Sequence, residues 1–119
     1  MEGPVLYVIV NNCLGMQKGK ISAQVGHVIE KITHFIHNTP YIGQHNQNLI
    51  NTYNTYLKTG HKKIVLKATQ AEVEKLCEEK DSFSIRDAGL TQIEANSLTV
   101  VGFPPSTKNK DRFNKFKLL

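Results

Sequence analysis

Hydrophobic and polar positions along the chain follow two periods, that of strands and that of helices. Residues 5–10 form an unbroken apolar run rich in β-branched side chains, which predicts a strand buried on both faces. Residues 11–19 are rich in turn formers and predict a loop. From Lys20 the apolar positions recur at steps of three and four, which predicts a helix that stops before Pro40. A weaker helix, rich in Asn and Thr, is predicted from about 44 to 58.

The second half of the chain predicts three more strands and two more helices. The strands cover residues 63–68, about 82–86 and 98–103. Pro104 and Pro105 are expected to end the last strand. Thr69 is the expected N-cap of a short helix over 70–80, and a basic helix is expected over about 107–116. The order β-α-α-β-α-β-β-α predicts one α/β domain, residues 1–119, with a four-stranded mixed sheet flanked by helices. The last two strands are expected to pair antiparallel, because no helix separates them.

Length and composition are those of an ordinary globular domain. Of the 119 residues, 39% are hydrophobic and 21% charged, which excludes disordered, collagen-like and coiled-coil chains. Cys13 and Cys77 form neither a disulfide framework nor a C-x-x-C pair, so a reducing, cytoplasmic compartment is expected. The first residues do not resemble a signal peptide, and the longest apolar run is too short for a membrane span.

The positive charge of the chain is unevenly distributed. The net charge is +5, and residues 107–119 carry five cationic side chains against Asp111 alone. Lys18 and Lys20 add a second cluster around Gly19. Basic clusters on a small domain indicate an anionic partner, most often nucleic acid. A solvated surface that keeps the protein soluble explains the same pattern, so charge alone leaves both interpretations open.

The junction between the first strand and the first helix is the first candidate site. A helix N-terminus presents free backbone N–H groups and favours anions, whereas the charges of Lys18 and Lys20 disfavour the helix there. Their position therefore predicts a bound phosphate or a paired carboxylate, and lysines extended into solvent are the alternative. Neither a P-loop nor G-x-G-x-x-G is present, which argues against a nucleotide-binding fold.

A polar stripe runs along the predicted first helix, opposite much of its apolar face. Its members recur at steps of four and three residues and are Lys20, Gln24, His27, Lys31 and His34. The stripe fits a surface that follows a phosphate backbone, and it fits equally the solvated side of an amphipathic helix. His34 and His37 lack further ligands nearby in sequence, so no metal site is predicted.

The turn after the third predicted strand is the second candidate site. Asp87 directly follows a strand, at the sheet edge where α/β domains collect functional groups, and Gly89 permits a sharp turn. Thr91 and, on the next strand, Thr99 supply hydroxyls. An Asp87 that only bonds its own backbone as a turn former is the alternative. No Ser-His-Asp or Cys-His arrangement is recognisable, so a covalent nucleophile is not predicted.

These two stretches resemble the peptidyl-tRNA hydrolases of the archaeal and eukaryotic type. The family's M-G-K-G-K-x-A-A-Q corresponds to residues 16–24, and its I-R-D-A-G-R-T-Q-I corresponds to residues 85–93 with Leu90 in place of Arg. The family's T-V-L-G-I-G-P and final L-K-L-L correspond to residues 99–105 and 116–119. The likeness therefore spans nearly the whole chain.

The chain departs from the family pattern in three places. Residues 11–13 read N-N-C where the family has R-[ST]-D or R-N-D, residues 94–96 read E-A-N in place of A-P-G, and residues 38–60 match little. With Leu90, the change at residues 11–13 favours an alternative function, a non-catalytic module that binds tRNA or another protein. The joint presence of the lysine, aspartate and threonines of the two sites argues against that alternative.

The resemblance implies hydrolysis of the ester between a nascent peptide and the 3′ ribose of tRNA. The residues it implicates in catalysis are Lys20, Asp87, Thr91 and Thr99. Our hypothesis is that Asp87 orients or deprotonates water and Lys20 stabilises negative charge, while the threonines position the water or the ester carbonyl. The expected tRNA contacts are Lys18, Gln24, His27, Lys31 and Arg86, together with the basic tail. The resemblance also implies a homodimer, and the scheme requires no metal or organic cofactor.

Overall fold

A central β-sheet organises the chain, with helices packed on both of its faces. The computed structural model describes residues 3–89 and 93–119. The strands are β1 (Val5–Asn11), β2 (Lys63–Ala68), β3 (Phe83–Arg86), β4 (Leu98–Ser106) and β5 (Lys117–Leu118). The helices are α1 (Lys18–His37), α2 (Gln44–Lys58), α3 (Gln70–Leu76) and α4 (Asn109–Arg112).

The strand order β3-β4-β1-β2-β5 brings the ends of distant segments together. β1 pairs parallel with β2 and antiparallel with β4. β3 pairs antiparallel with β4, as expected, and β5 pairs antiparallel with β2. The carboxyl ends of β1, β2 and β3 therefore meet at one edge of the sheet, where β4, β5 and α1 begin. We call this the carboxyl edge, and the candidate site lies on it.

All seven residues of β1 are buried, as the unbroken apolar run predicted. Alternate side chains serve two separate cores, because successive residues of a strand point to opposite faces. Leu6 and Val8 pack with Ile32 and other residues of α1 and α2 on one face. Tyr7 and Ile9 pack with residues of α3 and the C-terminal segment on the other face. The central strand thus fixes the helices on both sides of the sheet.

Several predictions about the elements were wrong. The sheet has five strands rather than four, so the element order ends in β-α-β. β5 is only two residues long, too short for any hydrophobic period, and exists because it pairs with the edge of β2. α3 ends at Leu76 rather than near residue 80, and α4 covers four residues rather than 107–116.

The two prolines do not end β4, which continues to Ser106. β1 pairs Tyr7 with Phe103 and Val5 with Ser106, so the register shifts between these pairs and the prolines fall in the irregular part. The pairing with β3 reaches only as far as Gly102. Proline is tolerated at such a position because no regular ladder bond has to be donated there.

Thr69 caps α3 as the sequence predicted. Its hydroxyl accepts a hydrogen bond from the Glu72 N–H at 3.2 Å, and its own N–H donates to Glu72 Oε1 at 2.9 Å. This reciprocal capping box satisfies backbone groups that a helix start leaves unpaired. It holds α3 against the end of β2, next to the carboxyl edge.

We expect Thr69→Ala to lower the free energy of unfolding by about 1 kcal/mol, because an N-cap oxygen is lost. Thr69→Ser keeps the hydroxyl and serves as the matched control, with an expected loss well below that of the alanine variant. Urea unfolding followed by circular dichroism measures both. Equal stability of the alanine and serine variants would show that the cap does not stabilise this fold.

Candidate active site

A lysine and an aspartate that lie 67 residues apart in sequence form an ion pair at the carboxyl edge. The Nζ of Lys20, in the first turn of α1, donates to Oδ1 of Asp87, which directly follows β3. The Asp87 side chain is 2% exposed and that of Lys20 is 19% exposed. The lysine at the helix N-terminus therefore has a paired carboxylate, one of the two partners that its position predicted.

The backbone around Asp87 holds its carboxylate in one orientation. Oδ2 accepts a hydrogen bond from the Gly89 N–H at 2.8 Å, so Asp87 is also the turn former that the sequence offered as an alternative. Its backbone N–H donates to the Ser97 carbonyl at 2.9 Å, and its carbonyl accepts from Asn96 at 2.8 Å. Asp87 is therefore both the partner of Lys20, through Oδ1, and a turn former, through Oδ2.

Gly89 cannot be replaced without moving this turn. Its φ is +82°, in the left-handed region that side chains other than glycine rarely adopt. A Cβ at this position would also lie 2.8 Å from the Cβ of Ala95. The glycine therefore sets the direction in which the chain leaves Asp87.

Thr99 is completely buried and connects α1 to the sheet. Its hydroxyl donates to the Ile85 carbonyl at 3.0 Å and accepts from the side-chain amide of Gln24 at 2.7 Å. Ile85 lies two residues before Asp87, and Gln24 lies one helical turn after Lys20. The network thus positions the two elements that carry the ion pair. A direct contact of Thr99 with a water or a substrate carbonyl stays a prediction.

Gln24 does not lie on the solvated side of α1. The helical stripe predicted it beside Lys20, His27 and Lys31 on a polar face, but the side chain is buried, with 3% of the residue exposed. The stripe runs along the contact between α1 and the β3–β4 end of the sheet, so its first turns are covered. The helical period correctly places these residues on one face of α1, but it does not show which part of that face the sheet covers.

The other four predicted phosphate contacts are exposed: Lys18, His27, Lys31 and Arg86. The Lys31 ammonium donates to the Ser84 carbonyl at 2.9 Å, and Arg86 Nη1 donates to the Asn96 carbonyl at 3.0 Å. Both cations therefore lie against the segments that lead into and out of the Asp87 turn. Thr91, the remaining predicted site residue, lies outside the described residues.

Asn11 is a structural part of the site that sequence reasoning missed. It is buried at the end of β1, and its amide donates to the Leu98 carbonyl at 2.9 Å and to Gln70 Oε1 at 2.5 Å. The side-chain oxygen Oδ1 of Asn11 accepts a hydrogen bond from the Cys13 N–H at 2.9 Å. The side chain thus joins β1, β4 and α3 at the carboxyl edge. The only available signal was a polar residue at the end of an otherwise apolar run.

One cation of the basic tail, Arg112, forms a salt bridge within the chain. Both terminal nitrogens of Arg112 donate to Asp81 at 2.8 Å, and the guanidinium lies over the rings of Phe103 and Phe113. Hydrogen bonds from Arg112 hold the pKa of the Asp81 carboxyl below its usual value. Arg112 therefore packs the C-terminal segment against the sheet and is not available as a phosphate contact.

Residues 3–89 and 93–119 contain neither a metal-binding cluster nor a membrane-spanning helix. No group of three or more His, Cys, Asp and Glu side chains there is arranged to hold a metal ion. No helix in the same part of the chain is long and apolar enough to cross a membrane.

Known proteins resemble this chain over most of its length. A family model described as "Peptidyl-tRNA hydrolase PTH2" matches residues 4–119. A protein named "Peptidyl-tRNA hydrolase" from Methanococcus maripaludis is 34% identical over 110 residues, covering 87% of this chain and 86% of the relative. Proteins of the same name from Saccharolobus islandicus and Methanocaldococcus jannaschii are each 32% identical, covering 87% and 88% of this chain and 88% and 89% of the relatives.

We expect Thr99→Val to lower the free energy of unfolding by about 1–3 kcal/mol, because the buried Gln24 amide loses its acceptor and the Ile85 carbonyl loses a donor. Gln24→Met in the same chain should recover part of this loss, since both polar partners are then absent. A double-mutant cycle of urea unfolding measures the coupling. Strictly additive losses would contradict an energetic link between the two side chains.

Proposed function

The chain belongs to the peptidyl-tRNA hydrolase PTH2 family, and we propose that Lys20 and Asp87 are the catalytic pair with which it hydrolyses peptidyl-tRNA. The bond cleaved is the ester between the nascent peptide and the 3′ ribose of tRNA. The observation that carries the proposal is a desolvated carboxylate paired with a lysine, at the sheet edge where α/β domains bind ligands. Burying two charged groups is unfavourable for folding, and a catalytic role explains why this fold does so.

Hydrolysis at this site needs only an oriented water. The water oxygen attacks the acyl carbon while the Asp87 carboxylate orients the water and accepts its proton. Negative charge develops on the former carbonyl oxygen, and the Lys20 ammonium stabilises it. The bond to the 3′ oxygen then breaks, the proton held by Asp87 passes to that oxygen, and free tRNA leaves with the peptide acid, which releases its remaining proton to solvent. No covalent intermediate is required, because a ribose oxygen is an adequate leaving group.

The surrounding side chains support this division of roles. Gln24 and Thr99 hold α1 and the end of β3 together, which keeps the ammonium and the carboxylate in register. Thr91 is proposed to position the water or the ester carbonyl, as the family resemblance implies. The exposed cations Lys18, Lys31 and Arg86, together with His27, are proposed to contact backbone phosphates of the tRNA. The scheme uses no metal or organic cofactor.

We further propose that the enzyme is a cytoplasmic homodimer. The dimer is implied by the family resemblance, and the location by a substrate that arises in translation. Sedimentation equilibrium of the purified chain is expected to give about twice the monomer mass of 13.4 kDa. A monomer mass across the micromolar range would contradict the dimer and leave the hydrolase proposal unaffected.

We expect Asp87→Asn to slow single-turnover hydrolysis of an N-blocked aminoacyl-tRNA by about a hundredfold or more, because the water loses its proton acceptor. Affinity for tRNA should be retained. Asp111→Asn, at an exposed position of α4, removes one carboxylate elsewhere and should cleave at the wild-type rate. A wild-type protein that binds tRNA and never cleaves it would assign the chain to the alternative function, a non-catalytic binding module.

We expect Lys20→Met and Lys18→Met to separate catalysis from binding. Lys20→Met should lower kcat by about a hundredfold or more, since a donor to the developing oxyanion is lost. Lys18→Met, two residues earlier and exposed, should raise KM for tRNA with kcat unchanged, since it removes only a phosphate contact. Similar kcat values for the two variants would contradict the role given to Lys20.

A further inference from the structure

Two lysines face each other at the edge of the sheet. The pairing of β2 with β5 puts Lys67 directly opposite Lys117. Side chains opposite each other in an antiparallel pair project from the same face with their Cβ atoms about 5 Å apart, and like charges in this arrangement destabilise a sheet. Within the described part of the chain, neither lysine has a carboxylate at ion-pair distance. Two like charges therefore start from directly opposed positions at this edge.

The two lysines line a concave site together with a third. Lys115 joins them, and the remaining wall comes from Asn12, Cys13, Phe116 and the start of α3. We call this site the lysine cleft and define its cations as Lys67, Lys115 and Lys117.

The one acidic side chain in the wall of the lysine cleft is already engaged. Glu72 accepts a hydrogen bond from the Thr69 N–H as half of the capping box of α3. That backbone hydrogen bond, with a smaller contribution from the charge of Lys115, keeps the pKa of Glu72 below its usual value. Three lysines thus line a cavity whose carboxylate, that of Glu72, is hydrogen-bonded to the backbone.

The lysine cleft lies on the same edge of the sheet as the catalytic pair. Lys67 is the penultimate residue of β2 and Lys117 begins β5, so both are at the carboxyl edge. Asp87 follows β3, which is three strands away from β2 and four from β5. At about 4.8 Å per strand, the cleft is roughly 14–19 Å from the catalytic pair. A stacked nucleic-acid strand rises about 3.4 Å per nucleotide, so this distance corresponds to about four to six nucleotides.

We propose that the lysine cleft binds a backbone phosphate of the tRNA substrate, some nucleotides away from the ester that is cleaved. The inference rests on the proposed function and adds a second anchoring point to it. A phosphate bound between the two lysines offsets the unfavourable like-charge pairing of Lys67 with Lys117. Phosphate contacts position a nucleic acid without reading its sequence. Binding energy from this remote part of the substrate then helps to orient the ester at Asp87.

The proposal is tested with the full chain carrying Lys67→Gln and Lys117→Gln together. The matched control is Lys58→Gln with Lys80→Gln, which removes the same charge from exposed positions at the opposite edge of the sheet. Hydrolysis is measured with an N-blocked aminoacyl-tRNA and with the same acyl group on a dinucleotide, which is too short to reach the cleft. For the cleft variant we expect KM for the tRNA substrate to rise about tenfold with kcat unchanged. The dinucleotide should be cleaved as by the wild type.

Salt dependence and charge-retaining variants separate a phosphate contact from a structural role. The logarithm of tRNA affinity plotted against the logarithm of salt concentration should lose about one unit of slope for each lysine removed. Lys67→Arg with Lys117→Arg should restore the wild-type KM, because both charges return. The glutamine variant should unfold at the wild-type temperature or above it, since a like-charge contact is gone.

The outcomes distinguish this proposal from the proposed function. A wild type that hydrolyses the tRNA substrate, with an unchanged KM in the cleft variant, would overturn the cleft and leave the hydrolase intact. Equal rises in KM for the cleft and control variants would also overturn it, because charge alone would then explain the effect. A wild type that binds tRNA without cleaving it would overturn the hydrolase. The loss of tRNA affinity in the cleft variant would still support the phosphate site in that case.

Discussion

The ion pair between Lys20 and Asp87 is the interaction on which the arrangement of the carboxyl edge depends. A carboxylate as buried as that of Asp87 is unfavourable without a counter-charge, and a lysine in the first turn of a helix opposes the helix dipole. Each group offsets the cost of the other only when β3 and the start of α1 are held side by side. The fold therefore has to bring the end of β3 next to the start of α1 for the ion pair to form.

Buried side-chain amides and one buried hydroxyl hold the strand and helix ends of the carboxyl edge in position. Gln24 and Thr99 connect α1 to the β3–β4 end of the sheet, and Asn11 connects β1 to β4 and α3. Removing one partner from such a network leaves the other unsatisfied in the interior, which is more costly than the bond itself is stabilising. Polar groups of this kind specify one arrangement of strand ends, whereas the apolar cores on the two faces mainly hold the layers together.

The cations of this basic chain divide into three groups by their surroundings. Lys20 is paired with a buried carboxylate, and Arg112 is paired with the half-exposed carboxylate of Asp81. Lys18, Lys31 and Arg86 are exposed on the elements that carry the Lys20–Asp87 pair. In the lysine cleft, Lys67 and Lys117 lie opposite each other, and the Glu72 carboxylate in the same wall is engaged in a helix cap. Net charge alone indicated an anionic partner, and the structure divides the cations into groups with different surroundings.

The sequence by itself determined the principal elements, the Thr69 cap, the family and the two stretches that carry Lys20 and Asp87. These follow from periods of two and 3.6 residues, capping chemistry and motif residues, all of which act between near neighbours in the chain. Only the tertiary structure decided that β4 runs through two prolines, that β5 exists, that Gln24 is buried and that Asn11 joins three elements. Each of these depends on a partner fifty or more residues away, and no local pattern encodes the free energy of such a contact.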